Sequence, residues 1–202
     1  MAENLDAIKV QRKTGQEKFT FGGSPVNLKI VDFWQWSQAD LLSNANRGVL
    51  AEFIVASALE LDMDARTEWD AYDFKTGKGL KIEIKSAAYL QSWKQEKLSD
   101  IRYRIAPTKG WYADTNEVSE DIKRHADLYI FCLLDHKNKR TVDLLNLDQW
   151  EFYLLETSIL DEKVKDQQTL GLSPLLKLGP IRCTFLEIKP AVEKIEMKYR
   201  RD

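Results

Sequence analysis

The chain has 202 residues, 44% of them hydrophobic and 31% charged, with a formal net charge of −2. That composition suits one folded domain with a sizeable core, and it excludes a disordered or low-complexity chain. No apolar run reaches the 18 or so residues of a transmembrane helix, and the opening MAENLDAIKV lacks the basic-then-apolar order of a secretory signal.

Residues 1–28 are polar and contain the turn-forming FGGSP, so they read as an arm preceding one domain over residues 29–202. Residues 32–44 (DFWQWSQADLLSN) read as helix, with a break at 43–46 and Trp34 and Trp36 in the core. A second helix is expected over 47–61, with Asn46 as its N-cap. Its Val49, Leu50, Phe53, Ile54, Val55, Ala56, Leu59 and Leu61 cover most of the circumference, which predicts burial on more than one side. Glu52 interrupts that surface, and a carboxylate there must be paired, hydrated or metal-bound.

Residues 67–74 (TEWDAYDF) and 80–88 (LKIEIKSAA) flank the short loop KTGKG and predict a β-hairpin. Period-two alternation puts Trp69, Ala71 and Asp73 on one face of the first strand. It puts Lys81, Glu83 and Lys85 on one face of the second, opposite Ile82 and Ile84. Residues 90–98 read as helix or loop, 101–105 as strand and 119–125 as helix. Residues 127–134 read as a buried strand with a hairpin partner at 141–145, and 150–155 as a further strand. Residues 157–180 look irregular, and 185–198 end the chain as a helix despite Pro190. This order predicts an α/β fold with a mixed sheet.

Cys132 and Cys183 sit in apolar surroundings and read as reduced thiols, which fits a cytoplasmic protein. Charge is unevenly spread. Residues 75–109 carry nine basic against three acidic residues, net +6, so the remainder is net −8. Such a segment can attract a polyanion locally, or be an ordinary solvated surface.

The chemistry concentrates around the hairpin. Hard cations such as Mg²⁺ take oxygen ligands, commonly one or two carboxylates completed by water and phosphate oxygens. Neighbouring strands lie about 4.8 Å apart, so Asp73 and Glu83 can reach one ion, and Lys85 lies on the face of Glu83. An ammonium there can position a water or neutralise charge on a phosphate. The set fits metal-assisted phosphodiester hydrolysis.

An upstream helix bearing Glu52, then Asp73, a short turn and Glu83-Ile84-Lys85, resembles the PD-(D/E)XK, restriction-endonuclease-like nuclease superfamily. More narrowly, RGVLAEF, EWDAYDF and IEIKSAAYLQSW are similar to small bacterial members of that superfamily with no assigned substrate. The resemblance implies a restriction-endonuclease-like core and an endonuclease acting on nucleic acid, DNA in the first instance. It implies Asp73 and Glu83 as ligands of Mg²⁺, for which Mn²⁺ can substitute. Lys85 would assist the attacking water, and Glu52 would serve as an outer-shell or second-metal group. Gln91 either supplies the polar residue that many members place after this strand or caps the following turn. Membership also allows a homodimer.

Tyr72, rather than proline, precedes the aspartate, which leaves Asp70 as a rival ligand on the opposite strand face. Glu187-Ile188-Lys189 repeats the spelling, but Pro190 follows it and no Asp-bearing hairpin precedes it. A salt-bridged strand face is the bland account of Glu83 and Lys85, and a catalytically inactive nucleic-acid-binding or assembly protein is the alternative function. His125 reads as a helix-surface residue. Nothing in the sequence supports zinc, a phosphate-binding glycine loop or a kinase. Trp93, Tyr103, Trp111 and Tyr112 read as core packing or, less simply, as stacking partners for bases.

Overall fold

The computed structural model describes residue 8 and residues 10–61, 71–112 and 116–199. Within the polar arm, β1 (Lys18–Phe21) and β2 (Ser24–Lys29) form an antiparallel ribbon. Gly22 and Gly23 turn it at φ +57° and +78°, the left-handed pair that a two-residue hairpin needs. Next come α1 (Ile30–Ser37), α2 (Asn44–Ala58), β3 (Phe74–Lys75) and β4 (Lys81–Ala88). Then follow β5 (Arg102–Arg104), β6 (Thr108–Tyr112), β7 (Glu117–Lys123) and β8 (Leu128–Leu134). The chain continues through β9 (Trp150–Glu156), α3 (Thr157–Lys163), β10 (Thr169–Gly171), α4 (Leu172–Lys177), β11 (Ile181–Cys183) and α5 (Ile188–Tyr199).

The organising sheet has the order β11-β9-β8-β4-β3. Only β4 and β8 run parallel, in register from Ile82↔Leu128 to Ala88↔Leu134, and the other pairs are antiparallel. The α/β class with a mixed sheet is therefore as expected. β8 is buried along its whole length, because a strand covered on both faces needs an unbroken apolar run rather than alternation. Ile82, Ile84, Ile130 and Cys132 pack with Ala51, Ile54 and Val55 of α2 and Ile188, Val192 and Ile195 of α5. On the other face Ala87, Tyr129 and Phe131 pack under Tyr103 and Leu170 of the β5–β10 ribbon, Leu160 of α3 and Leu175 of α4. No helix among the described residues is long and apolar enough to cross a membrane.

Several local expectations are corrected. Ser43, not Asn46, caps α2: its Oγ accepts the Asn46 N–H at 3.4 Å, so the helix starts earlier than its first apolar residue. Val49 and Phe53 are exposed, 40% and 54%, so α2 buries one stripe rather than most of its surface. Trp34 and Trp36 are exposed rather than core, Trp36 by 80%. Residues 119–125 are not helical. β7 pairs with β6 as an antiparallel hairpin, in which the Ser119 Oγ accepts the Gly110 N–H at 2.9 Å. The partner of β8 is not 141–145 but β4 on one side and β9 on the other. Residues 157–180, expected to be irregular, hold α3, β10 and α4. Pro190 is tolerated because it falls in the first turn of α5, where the missing N–H has no helical acceptor to lose.

Candidate active site

The β3–β4 hairpin positions the predicted carboxylates. The Asp73 N–H donates to the Ile82 carbonyl at 3.0 Å. The Asp73 Oδ2 then accepts the Ile84 N–H at 2.6 Å, which holds the carboxylate against β4 between Glu83 and Lys85. Alternation sends Ile82 and Ile84 into the α2 side of the sheet and Glu83 and Lys85 to the other face. The Lys85 ammonium pairs with the Glu83 carboxylate, so it faces the site and not the core.

These side chains share a cleft of about 570 Å³. Asp73, Glu83 and Lys85 line it together with Arg104, Lys109, Arg124 and His125, and Tyr129 and Trp111 form part of its wall. The electrostatics are those of crowded anions. Burial pushes the Asp73 carboxyl up to about 7, the Glu83 and Glu52 charges push the same way, and the Ile84 N–H and Lys85 oppose them. The Tyr129 phenol is raised, first by burial and then by Glu83. The Cys132 thiol is raised by burial, with Asp73 and Glu52 adding to it. A carboxylate raised by burial and by neighbouring carboxylates, in a cleft it shares with a lysine, is an arrangement typical of functional sites.

The other sequence candidates divide. Glu52 lies on α2, on the face opposite Glu83. Its charge reaches Asp73 and Cys132, but it is not among the cleft-lining side chains. Gln91 is buried, and its side-chain N–H₂ donates to the Ser99 Oγ at 3.3 Å. Its backbone N–H donates to the Gln95 side chain at 2.7 Å. It therefore helps to order the loop after β4 and does not line the cleft. Lys81 also stays out: its ammonium stands 5.5 Å from the Tyr72 ring centroid. Asp70 and Trp69 lie outside the described residues.

Asp73 and Glu83 are both hard oxygen donors, the donor set that Mg²⁺ or Mn²⁺ takes with water in its remaining positions. Among the described residues no three His, Cys, Asp or Glu side chains cluster into a complete protein cage, which an ion of that kind does not require. The donor chemistry fits the ion.

His125 is the residue that sequence reasoning missed. Its Nε2–H donates to the Thr108 carbonyl at 2.9 Å, and a Cβ at Gly110 would come within 2.8 Å of the imidazole. The ring and the β6 backbone are thus fitted to one another, and only glycine allows it. The helical reading of 119–125 had hidden this. Arg104 and Lys109, which also line the cleft, belong to the +6 segment.

A family model described as Bacteriophage T4 endonuclease IV matches residues 29–173. The matched interval holds the Asp73–Glu83–Lys85 hairpin, Glu52 and the β6–β7 ribbon. No curated protein matches the chain, and neither does any solved structure.

Proposed function

The chain belongs to the bacteriophage T4 endonuclease IV family, and on that premise we propose that it is a Mg²⁺-dependent endonuclease of the restriction-endonuclease-like type that hydrolyses phosphodiester bonds of DNA. The observation that carries this is the Asp73 carboxylate, held on the Ile84 N–H in one cleft with Glu83 and Lys85.

Asp73 and Glu83 would hold the metal, and Glu52 would bias the site through its charge. When bound, the ion supplies Lewis-acid polarisation of the phosphate and offsets its developing charge. Lys85 exchanges its pairing with Glu83 for the substrate. Its N–H groups orient the attacking water and donate to a non-bridging phosphate oxygen as charge accumulates there. A bond forms from the water oxygen to phosphorus, the bond to one ester oxygen breaks, and a proton of the water ends on the leaving oxygen. The Ile84 N–H keeps the Asp73 carboxylate from rotating away, and the apolar walls of Tyr129 and Trp111 limit competing water.

The test is supercoiled plasmid incubated with Mg²⁺ or Mn²⁺, beside Asp73→Ala and Lys85→Ala proteins. Nicking or linearisation by the wild type, lost in both variants, is expected. Cleavage that survives both substitutions would sink the assignment. DNA binding without metal-dependent cleavage would favour the inactive nucleic-acid-binding alternative.

A further inference from the structure

The cleft is electrically divided. Its carboxylates stand with Lys85 on the β3–β4 side. The same cleft is lined by Arg104 from β5 and Lys109 from β6, both exposed, and neither has an ion-pair partner among the described residues. Their placement rests on a buried guanidinium. Arg124, 7% exposed, donates to the Ile105 carbonyl at 2.8 Å and to Asp161 at 2.6 Å. It also donates to the Val164 and Lys165 carbonyls, each at 3.3 Å. Burying a charge is costly unless it is satisfied in this way, and here the satisfied charge locks the chain beside the cleft. Arg104 precedes the residue whose carbonyl Arg124 holds, and His125 follows Arg124. His125 in turn seats the β6 backbone through Thr108 and the close approach at Gly110, next to Lys109.

We propose that Arg104 and Lys109 form a seat for a backbone phosphate neighbouring the scissile one, with Arg124 and His125 as the residues that position it. This rests on the nuclease reading of Asp73, Glu83 and Lys85. A polynucleotide carries a charge at every step. The phosphate beside Asp73 and Glu83 meets like charge, which only a cation can offset, whereas a phosphate at Arg104 and Lys109 meets cations with no ion-pair partner among the described residues. The seat therefore supplies binding energy remote from the broken bond and fixes the register of the strand in the cleft.

The experiment measures binding of fluorescein-labelled DNA, as single strand and as duplex, in EDTA across a range of NaCl concentrations. Wild type is compared with Arg104→Gln/Lys109→Gln and with Lys94→Gln/Lys97→Gln, two exposed lysines of the same basic segment that do not line the cleft. The cleft pair is expected to weaken binding about tenfold and to make the slope of log K against log salt shallower by roughly 0.8, as the loss of one seated phosphate should. The control pair should stay within about twofold. With Mg²⁺ present, the cleft pair should raise KM, as weakened substrate binding requires. All four positions are exposed, so folding should survive, and thermal melting checks this. An equal loss in the control pair, or an unchanged slope in the cleft pair, overturns the seat. Cleavage by wild type with an indifferent cleft pair removes the seat and leaves the nuclease reading. Cleft-dependent binding without any cleavage does the reverse.

Discussion

Two regions of this molecule spell Glu-Ile-Lys, and they do unlike things. In Glu83-Ile84-Lys85 the backbone is extended, so Glu83 and Lys85 share one face, beside Asp73, while Ile84 is buried behind them. In Glu187-Ile188-Lys189 the chain is entering α5. There Glu187 accepts the Thr184 N–H and hydroxyl, each at 2.8 Å, as a helix cap, and Lys189 pairs with Glu60 at 2.5 Å. The middle isoleucine is buried in both, 6% and 0% exposed. The tripeptide determines the burial of its centre, while backbone period determines whether its ends converge or part. The second copy also lies outside the 29–173 family match.

The largest expected break in this comparison is catalytic. Lys85→Ala should cut plasmid cleavage by roughly 10²-fold or more, whereas Lys189→Ala and Glu187→Ala should leave the rate within about twofold, as initial-rate assays would show. Next comes the shared centre. Ile84→Ala and Ile188→Ala should each destabilise the fold by about 2–4 kcal/mol, seen as similar shifts of the urea midpoint. A large difference between the two would mean that the strand and the helix do not pack equally well.

The acids should differ in the sign of their pH response. The Asp73 carboxyl is raised to about 7, mainly by burial. Between about pH 4 and 7 the folded state holds a proton that the unfolded chain has released, so stability in EDTA should fall as pH rises through that window. Asp73→Asn should remove this fall and melt several degrees higher above pH 7. Metal uptake competes with that proton, so Mn²⁺ affinity should rise over the same window. The Glu187 carboxyl is lowered, first by the Thr184 backbone N–H and then by its hydroxyl. Its contribution is present at neutral pH and should be lost as pH falls below the usual glutamate range, and Glu187→Gln should flatten that acid limb. The smallest effect is Thr184→Ala, which removes one hydroxyl from the cap and should lower the melting temperature by about 1–3 °C.

The legible parts of the sequence were those where period and composition agreed. β4, β8, β9 and α5 are long or strongly apolar, and the turn that brings Asp73 to Glu83 and Lys85 is local enough to be read from spacing, although its first strand, among the described residues, is only Phe74–Lys75 rather than 67–74 and Asp73 precedes it. What escaped was set by specific partners a few residues away, which neither period nor composition reveals. Residues 119–125 have a charged, helix-like composition, yet β6 recruits them into a ribbon, and with that His125 enters the cleft. The bond of Ser43 to Asn46 moved the start of α2, because a capping side chain is recognised by what it accepts and not by the apolar run that follows. Gln91 lies only a few residues beyond β4, but its partners Gln95 and Ser99 turn it into the loop.

The parallel pairing of β4 with β8 has one further consequence. Two parallel neighbours cannot be joined by a hairpin, so the chain leaving Ala88 at one end of the sheet must travel back to re-enter at Leu128 near the other. That return path, residues 89–127, carries β5, β6 and β7 and with them Arg104 and Lys109, whereas Asp73, Glu83 and Lys85 belong to the frame. On the proposed reading, bond-breaking and grip are thus encoded in separate stretches of chain. Exchange or drift within the returning stretch could retune which polymer is held, how tightly and in what register, while the atoms that act on it stay where they are.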